Sequence, residues 1–299
     1  MAATVAVFYS ETVLSLYPIL IKSVTTNLST QVLARFLVYP IAALIVGGLV
    51  PLRHAWTGNS TLKNLGLGTI NVAHIAASYL AFQELPAGIA MSLFYTYPLW
   101  NLFGASLVFG EAFPWHLLPV VLVALVGTYL VATSATPPDQ DVGEQEGVTS
   151  KSLNWLGIGS ALLAALTETA LFLAVKGSKG ESPFYNIHQF YLGGLPILAA
   201  LLYYFKDAGL KNVKPIDWNW RKWLPLVAFN GILGFTGYSA RFWSISRLPT
   251  IIYSVLSMFG VLASFTWGAT LLGEKISGQA IGGSALLAAA IGYLRYSTH

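Results

Sequence analysis

Cysteine is absent from all 299 residues. Disulfides, thiolate metal sites and cysteine nucleophiles are thereby excluded, while the compartment stays open. Charge is scarce too: Asp, Glu, Lys and Arg make up 9% of the chain, against about 25% in a soluble domain. Such a chain has too little polar surface to wet itself, so most of its solvent must be lipid. No HExxH or GxSxG pattern occurs and no nucleophile–base pair stands out, which argues against an intramembrane enzyme. The last apolar run holds no deep lysine, which argues against a retinal photoreceptor. No metal or other cofactor is called for. The net charge of +4 is small and scattered, a pattern that does not point to nucleic acid. Met1 to Thr4 carry no basic region, so the first apolar run is expected to be kept as a helix rather than cleaved.

What the chain does have is apolar sequence: 55% hydrophobic residues and a mean hydropathy of +0.64. Trp and Tyr are plentiful, as expected where rings sit at headgroup level. A bilayer core takes about 20 residues of helix. Ten stretches fit: 5–22, 31–50, 64–83, 87–109, 115–133, 154–175, 184–205, 222–244, 249–272 and 277–295. They are too long for the short alternating strands of a membrane barrel. The hydrophilic stretch 136–153, with Asp139, Asp141, Glu144 and Glu146, reads as a flexible linker between residues 1–135 and 154–299.

A unit recurs across that linker. Leu85-Pro86 leads to Gly110-Glu111, and Leu248-Pro249 leads to Gly273-Glu274, at a constant offset of 163 residues (249 − 86 and 273 − 110). Ile89, Leu93 and Leu99 recur at the same offset as Ile252, Leu256 and Leu262. Each Leu-Pro opens a predicted helix, where the missing N–H of proline costs nothing. Five spans per half is an odd number, so the second half must enter the membrane with opposite orientation. The expected fold is an all-α polytopic membrane protein of ten transmembrane helices, arranged as two inverted five-helix repeats. With both termini inside, six basic residues fall inside and eight outside; without the loop 206–222 the outside count drops to three. The reading leans to both termini inside.

Taken together, the doubled Leu-Pro to Gly-Glu unit, Ala34-Arg35-Phe36-Leu37 in the second span, Leu20-Ile21-Lys22 closing the first and Pro98 in the fourth resemble the EamA-like branch of the drug/metabolite transporter superfamily. The resemblance covers both halves; the second copy departs from the first at Val261, where the first has Pro98. It implies a ten-helix carrier, often an exporter of amino acids or other small metabolites, with relatives that exchange nucleotide sugars or sugar phosphates. It also implies a structural role for Arg35 and for the motif residues Pro86, Gly110, Glu111, Pro249, Gly273 and Glu274.

Ionisable side chains at membrane depth are costly and normally face a cavity or a partner. Glu11 and Glu168 lie in the corresponding first and sixth spans, so each half places a carboxylate in its leading helix. His74 and Arg241 lie in the third and eighth. The offset maps Arg241 onto Ser78, one turn beyond His74 and on its face, which Asn71 shares. Tyr238 sits three residues before Arg241. His188 in the seventh span is a candidate proton carrier, and Tyr95 and Tyr253 are candidate cavity walls. An arginine suits a carboxylate or phosphate; the alternative for Arg241 is an ion pair with Glu11 or Glu168.

The function expected from these residues is secondary active transport of a small polar metabolite, an amino acid or related zwitterion or anion, by alternating access. A nucleotide-sugar or sugar-phosphate antiporter is the alternative and wants two or three converging cations. A channel is a more distant reading. The expected partners are a small-molecule substrate, a coupled proton and the lipid bilayer, in a monomer or homodimer. The plasma or inner membrane is favoured over an organelle membrane.

Overall fold

Helix occupies each of the ten apolar stretches. The computed structural model describes residues 1–56, 60–85, 87–113, 115–134, 155–178, 181–205, 214–271, 273 and 277–297. Pro86, Glu274 and the stretch 136–153 lie outside them. Ala2–Ser23, Leu28–Gly47, Ser60–Glu84, Trp155–Gly177 and Thr250–Leu271 are long and apolar enough to cross a bilayer. Trp115–Leu130 and Ile281–Ala290 are shorter apolar helices. No strand occurs among the described residues.

In chain order the helices are α1 (Ala2–Leu14), α2 (Tyr17–Ser23), α3 (Leu28–Gly47), α4 (Leu49–Ala55), α5 (Ser60–Glu84), α6 (Ala87–Phe94), α7 (Tyr97–Phe109) and α8 (Leu118–Ser134). They continue with α9 (Trp155–Gly177), α10 (Pro183–Ile187), α11 (Gly193–Phe205), α12 (Trp220–Ala228), α13 (Phe235–Ile245), α14 (Thr250–Ser257), α15 (Phe259–Leu271) and α16 (Gly278–Ser297). Most breaks have a local cause. Pro18 and Pro98 sit in the first turns of α2 and α7, where a proline ends the preceding helix and opens the next. The fourth and ninth stretches break alike, each into helices of 8 and 13 residues. The second break, at Met258, occurs without a proline, so proline alone does not account for this interruption.

The glycines of the recurring Gly-Glu pair have one physical reason. Gly110 and Gly273 adopt φ of 66° and 70°, the left-handed region where a side chain is strained and where helices end. Two segments, His188–Leu192 and Phe229–Gly234, widen into π-helix, and both pack against α3. Such bulges gather at functional sites.

Helix ends collect at two opposite faces. At one, the Lys176 ammonium donates to the Leu248 carbonyl at 2.7 Å and lies 3.7 Å from Glu111, and His54 lies 3.4 Å from Glu181. At the other, Asn27 donates to the Pro215 carbonyl (2.8 Å) and Asp217 N–H to the Thr30 hydroxyl (2.9 Å). Between the faces the molecule inverts the usual arrangement. Ile45, Val46, Leu107, Val126 and Ile232 are exposed, while Glu11, Glu168, Arg35, Arg241 and His74 are at most 3% exposed. An apolar exterior around a charged interior suits hydrocarbon as solvent.

Candidate functional site

Arg241 of α13 is the hub of the interior. Its Nη2 lies 3.4 Å from Glu11 Oε1 and its Nη1 3.1 Å from Glu168 Oε1. Its Nε donates to the Tyr253 hydroxyl at 2.9 Å, and Nη2 also donates to Tyr97 at 2.7 Å. All three nitrogens are therefore engaged. Glu11 Oε2 accepts from the Tyr95 hydroxyl at 2.7 Å. Helices α1, α9 and α13, with the breaks in the fourth and ninth stretches, thus converge on one ion cluster. The carboxylates that each half places in its leading helix meet at the same guanidinium.

His74 of α5 closes the cluster. Its Nδ1 faces the Ala164 carbonyl at 3.1 Å and its Nε2 faces Glu168 Oε2 at 3.2 Å. A carbonyl accepts only, so Nδ1 carries a hydrogen. The imidazole and the carboxyl thus lie side by side, close enough for a proton to pass between them.

A cavity of about 30 Å³ adjoins the cluster, bordered by Arg35, His74, Ser78, Tyr238, Arg241 and neighbouring apolar and aromatic groups. It has room for about one water. Over it, on one face, opens a cleft of about 750 Å³ lined by Lys22, Lys214, Lys222, Asn27, Gln83 and Asp217, among others. Tyr17 borders the cavity and Ile21 the cleft, one helical turn apart on α2. Gln31 lies at this boundary: it accepts from Gln83 at 2.9 Å and donates to the Ile21 and Val24 carbonyls at 3.1 and 3.2 Å. At the cleft rim, hydrogen bonds from the Lys222 ammonium (2.6 Å) and the Asn219 N–H hold the Asp217 carboxyl below the usual carboxylate range.

Sequence reasoning and structure meet unevenly here. Glu11, His74, Ser78, Tyr95, Glu168, Tyr238, Arg241 and Tyr253 lie in or against the cluster and cavity. Asn71 is buried on α5 with its Nδ2 unbonded and does not line the cavity. His188 sits in the first π-helical segment, buried, with neither ring nitrogen hydrogen-bonded, and borders none of the described cavities. Arg35, expected to be structural, lines the cavity. Tyr17, Tyr39, Tyr79, Tyr97 and Tyr191 were missed, and a signal for three of them was present. Tyr17-Pro18, Tyr39-Pro40 and Tyr97-Pro98 are Tyr-Pro pairs whose tyrosines are all buried near the centre.

Gly260 gives the cluster a sharp test. A methyl group there would overlap the Tyr95 hydroxyl and come 2.9 Å from Glu11 Oε2. Gly260→Ala is expected to cost about 1–3 kcal/mol by overpacking and to displace Tyr95 from Glu11. A lowered melting temperature in detergent checks it.

An apolar shell around a buried ion cluster defines an integral, multi-pass membrane protein. Residues 155–296 match the model of the EamA-like transporter family, which belongs to the drug/metabolite transporter superfamily. The match spans 142 residues (155–296), just under half of the 299 in the chain. No curated protein matches the sequence. One solved crystal structure is similar at 17% identity and a TM-score of 0.71, covering 97% of this chain and 96% of its own. At that identity the likeness shows the fold alone.

Proposed function

We propose that this chain is a secondary active transporter of drug/metabolite type that moves a small polar metabolite by alternating access. On this reading residues 1–135 and 154–299 form two inverted five-helix repeats joined by the acidic linker, and the ion cluster lies between them. The substrate class is an amino acid or a related organic zwitterion or anion. The carrying observation is the Glu11–Arg241–Glu168–His74 cluster beside a small cavity, because idle buried charge is costly in lipid and carriers built of two repeats hold their site between them. The 3.2 Å approach of His74 Nε2 to Glu168 Oε2 supports proton coupling. A second reading, exchange of nucleotide sugars or sugar phosphates, gains from one observation: Arg35 and Arg241 border the same cavity, which supplies converging cations.

Purified protein in liposomes tests the reading. Saturable uptake with counterflow of trapped substrate is the expected result. An imposed proton gradient is expected to change the uptake rate in the wild type and to leave Glu168→Gln unaffected. Voltage-driven current without saturation would overturn the carrier in favour of a channel.

A further inference from the structure

The two buried arginines are treated differently by the fold. Arg241 faces two carboxylates. Among the described residues no carboxylate lies within 4.0 Å of Arg35, although it is only 2% exposed. Its guanidinium carbon instead sits 4.6 Å from the ring centre of Tyr17, 5.1 Å from Tyr39, 5.8 Å from Tyr79, 5.9 Å from Tyr191 and 4.5 Å from Tyr238. Aromatic faces attract a cation, yet they supply no counter-charge and accept none of its N–H bonds in the ring plane. Nε donates to the Tyr191 hydroxyl at 2.9 Å and Nη1 to Tyr79 at 3.4 Å. Nη2 is buried with no hydrogen-bond partner.

We infer that this cage is a receptor for an oxyanion of the substrate, a carboxylate or a phosphate, and that Arg35 rather than Arg241 is its anchor. The inference rests on the carrier reading and names the chemistry of what is carried. Three facts converge on it. Arg35 borders the cavity together with His74 and Arg241. Its unbonded Nη2 is one donor, and Tyr79 and Tyr191, which accept from Arg35, each keep an O–H proton to give. Tyr238 lies between the two cations, 4.5 Å from the Arg35 carbon and 5.7 Å from that of Arg241. An anion on the cage is thereby kept apart from Glu11 and Glu168, while any ammonium on the same molecule has those carboxylates within its reach. A small residue keeps the wall in place: a Cβ on Gly234 would crowd the Tyr17 and Tyr39 hydroxyls. Tyr39 and Tyr17 are linked at 2.6 Å, and Tyr17 donates onward to Asn230 at 2.8 Å, which fixes this wall.

The cysteine-free chain offers a direct readout. Met91 borders the cavity, so full-length Met91→Cys in liposomes carries a single thiol whose labelling by a small thiosulfonate reports entry. Succinate, L-glutamate, glycerol 3-phosphate and inorganic phosphate are the probes, with succinamide, glycerol and chloride as controls. At least one oxyanion is expected to slow labelling, carboxylates and phosphates separating the two sources. In the Arg35→Lys background half-protection is expected to need about tenfold more probe or higher, because the planar fork is lost. Unchanged half-protection in Arg35→Lys would overturn the anchor and leave Arg35 as a cation–π clamp. Should that variant fail to fold, the Met91→Cys protein decides alone: equal protection by succinamide or chloride would overturn the oxyanion assignment. Counterflow of the protecting probe separates the two claims. Arg35-dependent protection without counterflow sinks the carrier and keeps the cage; counterflow unaltered by Arg35→Lys does the reverse.

Discussion

Arg241→Gln is expected to destabilise the folded protein by about 3–5 kcal/mol, because it strands two buried carboxylates at once. The wild-type guanidinium reaches Glu11 and Glu168 at 3.4 and 3.1 Å and directs its remaining donors to Tyr97 and Tyr253. Glutamine restores a hydrogen-bond donor but no charge. The loss has a built-in control. In the triple variant with Glu11→Gln and Glu168→Gln neither carboxylate is left stranded, so most of the stability is expected to return, a strong non-additivity among residues in contact. Transport should stay absent in both. Thermal unfolding in detergent paired with liposome counterflow reads the two effects separately. A single variant that melts like the wild type would mean that the cluster is not ionised.

The second large effect is steric. Helices α5 and α11 cross where Gly68 meets the backbone of Gly193 and Gly194, so a Cβ on Gly68 would overlap main-chain atoms that have no rotamer to escape into. Gly68→Val is expected to cost at least about 3 kcal/mol, the upper end of overpacking penalties. It should also loosen the site, since α11 follows the π-helical segment that carries Tyr191 onto Arg35 and Gln189 onto Asn64, the latter at 2.9 Å. Gly66, two residues earlier, has no neighbouring atom within 4 Å of where a methyl group would stand, and serves as the control. Gly66→Ala is expected to be neutral or to stabilise the helix by about 1 kcal/mol. Equal melting temperatures for the two variants would show that the helices do not cross there.

How far the sequence could be read follows from what each residue signals alone. Glu11, Glu168, His74 and Arg241 stand out because a charge in an apolar run is costly, and that cost is visible without coordinates. An ion pair of Arg241 with Glu11 or Glu168 was foreseen as the alternative; that one guanidinium takes both carboxylates was not, since Glu11 and Arg241 meet across 230 positions (241 − 11). Arg35 was read as structural because it sits in a short family-like motif; its cage is built from five tyrosines on separate helices, and rings in a membrane chain are too common to single out. The fourth stretch was read as one span over 87–109; its break falls beside Pro98, whose ring is a visible mark of such an interruption. Its counterpart at Met258 carried no such mark, because there the interruption lies in how the backbone packs. Asn71 and His188 stand apart, as polar residues at promising positions that border none of the described cavities.

A proton taken up at the His74–Glu168 pair would have an electrical consequence. With Glu11 and Glu168 set against Arg35 and Arg241, the protonated core carries one net positive charge and the deprotonated core none. A monoanion that enters with the proton makes the loaded core neutral, so the membrane voltage, worth about 2.3 kcal/mol per charge per 100 mV, does no work on its reorientation. An empty core that has released its proton is neutral as well. A zwitterion entering with the proton leaves the core charged, and its passage is then driven or opposed by voltage. The sign and size of the transport current thus report which chemistry the cavity accepts.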